Sequence, residues 1–152
     1  MRSAVPVGLF EMKLRADTPR WVSAILAWPW TWRAARVALV SAFIIGGVTK
    51  LSDFAAAIAE QEHFGLHPGW LWAALAITVE LGGSLLVISG RFMWLGAGGL
   101  GVLTAVAMLS ANDFWTMAGH ERFMELNAFF EHLGLIAGLV LVSMQATEAK
   151  AG

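Results

Sequence analysis

The chain has 152 residues, 58% of them hydrophobic and 14% charged, with a formal net charge of −1 and a mean hydropathy of +0.67. These values describe a small polytopic membrane protein, and the basic residues gather into no nucleic-acid-binding patch. There is no cysteine, which excludes disulfide exchange, thiolate catalysis and Cys-ligated clusters on this polypeptide, so redox chemistry would need a borrowed centre.

Residues 1–33 hold Arg2, Lys13, Arg15, Arg20 and Arg33 against Glu11 and Asp17, with Trp21, Trp28, Trp30 and Trp32 crowding the end. Basic residues and tryptophans beside a span predict a segment lying at the headgroup level. The charges and Pro6, Pro19 and Pro29 interrupt any apolar run, so no cleavable signal peptide is expected and the first span acts as a retained anchor.

The first span is expected from about Ala34 to Thr49, with Arg36 near its start and Lys50 at its end. At helical spacing Arg36, Phe43, Gly47, Lys50 and Phe54 fall along one side. Two cations near opposite ends can each reach an interface. Residues 51–68 read as a first loop, with His63 and His67 spaced i, i+4. On a helix that spacing could ligate a metal, but Gly65 and Pro68 argue against a regular helix there, and no metal site is assigned.

The second span, from Gly69 to Ile88, carries a single charge, Glu80. About 20 apolar residues cross a bilayer core, which puts Glu80 roughly 16 Å deep, near the midplane. A carboxylate there must face protein or a wet cavity. Ala73, Ala76, Gly83 and Ser84 share its face, whereas Leu71, Leu75, Leu85 and Leu86 lie on the other side. Glu80 is therefore expected on a buried, small-residue face that a second helix approaches closely. It serves there either as a structural partner or as a proton carrier.

Ser89, Gly90 and Arg91 leave room for a very short turn, so the second and third spans are antiparallel neighbours. The third runs from Phe92 to about Leu109 and contains Gly96-Ala97-Gly98-Gly99-Leu100-Gly101. Those letters match a dinucleotide fingerprint, but no strand precedes them and a pyrophosphate could not be solvated in an apolar span. Close helix packing is the expected use of these glycines.

Residues 110–126 form a second loop with Asn112, Asp113, Trp115, His120, Glu121, Arg122 and Glu125, and the fourth span runs from about Asn127 to Met144. Asn127, Glu131, Gly134, Gly138 and Gln145 share one face, a stripe that predicts burial. Glu131 sits about one turn inside the boundary, at the depth where Lys50 ends the first span, which predicts a contact or a bridging water between them. All basic residues except Lys50 and Arg122 fall on one side of this frame. The positive-inside rule then puts both termini in the cytoplasm.

The organisation expected is a basic tryptophan-rich segment over 1–33, a four-helix membrane domain over 34–146 and a cytoplasmic tail over 147–152. The fold class is all-α, a four-transmembrane-helix antiparallel bundle with a short interfacial N-terminal segment.

With these residues placed, the chain resembles the DoxX family of small four-helix membrane proteins. The matching pieces are Arg36-Val37-Ala38-Leu39 and the run from Phe43 to Phe54 in the first span, Glu80-Leu81-Gly82-Gly83 in the second with Arg91 after it, Phe114-Trp115, and Asn127 with Phe129-Phe130-Glu131-His132-Leu133-Gly134. Family members often carry a Lys-Asn pair where this chain has Glu131-His132, which reverses a charge at the outer end of the fourth span. The resemblance implies a bacterial inner-membrane protein associated with thiosulfate:quinone oxidoreductases or oxidative-stress redox complexes, or an assembly factor. It carries no catalytic set.

Three functions compete. One is an accessory subunit of a quinone-linked redox system, with Arg36 or Lys50 holding a quinone oxygen and Glu80 passing the proton. Asn127, Glu131 and His132 are further ligand-binding candidates on that reading. The alternative is a non-catalytic membrane anchor or assembly factor whose buried charges fix helix register. The third is a transporter, for which four spans are too few unless the chain oligomerises. Lipid, an electron-carrying redox protein and further copies of the chain are the partners such a bundle admits.

Overall fold

A computed structural model describes residues 18–111 and 114–151. The N-terminal segment up to residue 17 and Asn112 and Asp113 of the second loop lie outside the described residues. Among the described residues there are six helices: α1 Arg20–Ala27, α2 Pro29–Ser52, α3 Phe54–His63, α4 Gly69–Ser89, α5 Met93–Ala111 and α6 Gly119–Ala151. The chain divides into two compact units, residues 1–35 and 36–152.

In the first unit α1 buries none of its residues. Trp21, Ile25, Leu26, Trp28 and Trp30 are all exposed. The Thr31 hydroxyl donates to the Ile25 carbonyl at 2.6 Å, and the Arg33 guanidinium stacks 4.9 Å from the Trp30 ring centre.

Among the described residues four helices are long and apolar enough to cross a membrane, over Pro29–Ser52, Gly69–Ser89, Met93–Ser110 and Gly119–Gln145. The fold is all-helical, as composition and periodicity require. Within the second unit α5 packs on both α4 and α6, and α3 packs against α4. Val40, Ala73, Val87, Leu100, Thr104 and Leu139 are among its most deeply buried residues.

The α4–α5 seam is tight. A Cβ added to Gly96 would stand 2.7 Å from the Gly83 carbonyl oxygen and 2.8 Å from Leu86 Cβ, and one added to Gly83 would stand 2.9 Å from Leu100. Two glycines facing each other let the backbones meet, where dispersion over many atom pairs holds apolar helices together. The turn between them closes on Gly90, whose left-handed φ of 74° suits glycine; its amide donates to the Leu86 and Val87 carbonyls. An added Cβ there would also lie 2.8 Å from Arg36 Nη1.

Two expectations need correction. The first loop contains a helix, α3, because Asp53 leaves the helical region and caps a new start, its Oδ1 accepting from the Ala56 amide at 3.0 Å. That break also swings Phe54 out to 39% exposure, away from the buried side that Phe43 and Gly47 share. The fourth helix begins at Gly119, eight residues before Asn127. Glu121, Arg122, Met124, Glu125 and Leu126 are good helix formers, so the helix starts before the apolar span does.

Candidate functional site

Glu80 lies where periodicity places it, on the buried side of α4 with Ala73, Ala76, Gly83 and Ser84. Leu71, Leu75 and Leu85 face outward, and Leu86 is half-buried. Glu80 is 8% exposed, and Lys50 Nζ on α2 donates to its Oε1 at 2.9 Å. Charge-assisted bonds of this length are among the stronger ones proteins make.

Lys50 therefore does not pair with Glu131. Helical side chains lean toward the helix N-terminus, so the Lys50 ammonium lies over Gly46, one turn deeper than its own Cα. A Cβ on Gly46 would sit 3.6 Å from that nitrogen and 3.5 Å from Glu80 Oε2. At Gly47 the approach is closer, with Leu81 Cγ 2.8 Å and Glu80 Cβ 3.2 Å from an added Cβ. Gly47 thus brings α2 near enough to α4 for the ion pair to form.

Glu80 has one oxygen left over. Its Oε2 is buried and accepts no hydrogen bond from any described residue. Buried carboxylate oxygens are almost always satisfied, so an orphan acceptor is a place to look for a missing donor. The Ser84 hydroxyl turns instead to the Glu80 backbone carbonyl, at 2.5 Å.

Beside the ion pair is a cavity of about 520 Å³. Lys50, Glu80, Glu60, Gln61 and Ser110 supply its polar groups, and Phe64, Leu66, Trp72, Leu75, Val79, Val102, Leu103 and Val106 much of its apolar wall. Small-molecule sites commonly have volumes of about 300–1,000 Å³ with this mixture of apolar wall and few polar groups.

Of the sequence-derived candidates, Lys50 and Glu80 come together at the cavity; Arg36, Asn127, Glu131 and His132 do not line it. Arg36 is half-buried at the other end of α2's inward face, where its Nη1 donates to the Val87 carbonyl at 3.4 Å. Asn127 and Glu131 are exposed on α6, as are Gly134 and Gln145, so the stripe expected to be buried is largely turned outward within this chain. Gly138 is the exception, half-buried against Leu39. His132 is half-buried, and its Nδ1 has no hydrogen-bond partner among the described residues. His63 ends α3 and His67 lies beyond Gly65, so the two histidines do not share a helix face.

Sequence reasoning missed Gln61, Phe64, Trp72, Gly98 and Gly99 as site residues. It assigned the first two to a loop and both glycines to helix packing. Gly96 does pack, but an added Cβ on Gly98 meets no described atom within 4 Å. Spacing alone could not separate a glycine under a helix from a glycine beside a cavity.

In comparisons with known proteins, the DoxX family model matches residues 31–113, just over half of the chain. The matched stretch contains Arg36, Lys50, Glu80 and the α5 wall of the cavity; Asn127, Glu131 and His132 lie beyond it. Searches of curated proteins and of solved structures gave no match.

Proposed function

This chain belongs to the DoxX family, and from that premise we propose that it is a quinone-binding accessory subunit of a membrane redox system. The observation that carries the reading is the cavity of about 520 Å³ with Lys50 and Glu80 in its wall. The residues fit such a ligand: an apolar volume for a substituted ring, an ammonium to donate to a quinone carbonyl oxygen, and a carboxylate that can accept from the hydroxyl of the reduced quinol. A quinone would supply two-electron, two-proton carriage, for which this cysteine-free chain offers no centre of its own. Lys50 would hold the ligand oxygen through N–H donors not used on Glu80, an ammonium having three. Glu80 would fix Lys50 through Oε1 and take up a proton at Oε2. Excluding water from the apolar walls strengthens each of these interactions. The electrons would come from a partner protein.

We place the protein in a bacterial inner membrane with both termini cytoplasmic, a reading supported by the gathering of basic residues up to Arg36 in the first turns of α2, in the turn after α4 and at the C-terminal end of α6. Lys50 and α3 then lie toward the outer face.

Native mass spectrometry of the protein taken from its own membranes in mild detergent tests the proposal. A stoichiometric quinone, lost in Lys50→Gln and Glu80→Gln, supports it; protein carrying phospholipid alone sinks it. One observation favours the anchor or assembly reading instead: the Lys50–Glu80 bond ties two spans together. On that reading Glu80→Gln, whose amide oxygen still accepts from Lys50, leaves function nearly intact while Gly83→Leu destroys assembly.

A further inference from the structure

The cavity wall contains residues whose exposure is hard to explain in a water-soluble frame. Leu75 is 50% exposed, Val102 67% and Val106 46%, and all three lie in spans long enough to cross a bilayer. In a membrane, side chains exposed along a span meet acyl chains. The side of the cavity that these residues line therefore opens toward lipid, while Lys50, Glu80, Glu60 and Gln61 supply charge and polarity.

Gly98 and Gly99 line the same cavity on α5. Glycine is among the poorest helix formers, so a glycine inside a span needs a reason. Gly96 has one in the backbone of Gly83 pressed against it. Gly98 has none of that kind, since an added Cβ would meet no described atom within 4 Å, and at Gly99 it would meet Val79 Cγ1 at an ordinary 3.5 Å. A side chain at residue 98 would occupy cavity space, and its absence keeps that space open. The Lys50–Glu80 pair in the same wall gives this largely apolar cavity a charged group with which a ligand's polar end can bond.

We infer that the cavity is loaded sideways from the bilayer between α4 and α5, across Gly98, and that its ligand carries a long apolar tail lying along Leu75, Val102 and Val106. This rests on the quinone-binding reading and adds to it a route and a substrate class: a membrane-dissolved, tailed molecule, not a small water-borne one. Gly98 is the residue that admits it.

The test compares a benzoquinone bearing a long isoprenoid tail with its tailless analogue, each titrated against the full chain in lipid nanodiscs. Wild type is expected to hold the tailed quinone more tightly. Gly98→Leu should weaken the tailed quinone by about tenfold, the scale on which an overpacked site loses affinity. Gly101→Leu should change it less than about twofold, because Gly101 also has open space but does not line the cavity. Gly98→Ala adds one methyl and repeats the test at smaller amplitude, about a two- to threefold loss, so a fold defect in the leucine variant does not decide the matter. If wild type binds both quinones and neither Gly98 variant changes the tailed one, the lateral route is overturned while the quinone site stands. If wild type prefers the tailless quinone, the tail assignment is overturned. If wild type binds neither, the quinone reading fails and takes the inference with it.

Discussion

α4 and α6 share one sequence signature, a carboxylate set among small residues on one face of an apolar helix, and they treat it in opposite ways. α4 turns Ala73, Ala76, Glu80, Gly83 and Ser84 inward. α6 turns Asn127, Glu131 and Gly134 outward and buries Leu139 and Val142, with Phe129, His132 and Leu135 half-buried along the same side. The difference lies in the competition. Opposite its small-residue stripe α4 offers leucines that suit lipid, and its glycine meets a glycine on α5. In α6 a second stripe of large apolar residues at positions 135, 139 and 142 has the spacing of a core face and fills the space beside α5 better than glycine can. A stripe of small and polar residues states that a face can be covered, and a neighbour with the matching shape decides whether it is.

The largest expected effect tests that contrast directly. Gly96→Leu drives a side chain into the backbone of α4, which cannot yield as a side-chain tip would. The variant should fail to give monodisperse folded protein in detergent, and Gly134→Leu, with no described atom within 4 Å of an added Cβ, should purify like wild type. Equal behaviour of the two on size exclusion and thermal unfolding would dissolve the distinction between the helices.

Next in size is the pair of carboxylates. Lys50→Met strands a buried Glu80 and should cost about 3–5 kcal/mol of stability, the usual penalty for removing one partner of a buried ion pair. The double replacement Lys50→Met with Glu80→Met should recover most of that, since the isolated charge is gone. Glu131→Gln, on an exposed position, should stay within about 0.5 kcal/mol. Denaturant titration of the four proteins reads all three values. A Glu131 variant as damaging as the Lys50 variant would mean that α6's outward face carries structure after all.

Much of this was legible before any coordinates. The four spans follow from length and hydropathy, and the inward face of α4 follows from a period of 3.6 and the expense of a carboxylate at the midplane. Lys50's partner did not follow, because the depth of its Cα points to Glu131, whereas its ammonium bends back one turn to Glu80. α3 was hidden by His63, Gly65 and Pro68, which signal where a helix ends and not that one precedes them. The cavity was invisible for a different reason. Its wall draws on α3, α4 and α5 together, and no single helix period records that Gly98 faces empty space while Gly96 faces backbone.

The smallest effect separates two adjacent glycines on α2. Gly46→Ala puts a methyl at ordinary contact distance, 3.5 Å from Glu80 Oε2 and 3.6 Å from Lys50 Nζ, so the alanine's better helix propensity should dominate and stability should rise by about 0.5–1 kcal/mol. Gly47→Ala puts the same methyl 2.8 Å from Leu81 and 3.2 Å from the Glu80 Cβ. Leu81 is half-buried and can turn partly aside, but Glu80 is held by Lys50, so the helices must part by a few tenths of an ångström and stability should fall by about 1–3 kcal/mol. One methyl moved by one residue should thus change the sign of the effect, read as thermal midpoints shifting in opposite directions. Two shifts of the same sign would mean that the α2–α4 approach is looser than the ion pair requires, and that Lys50 reaches Glu80 by its own flexibility and not because Gly47 brings the backbones together.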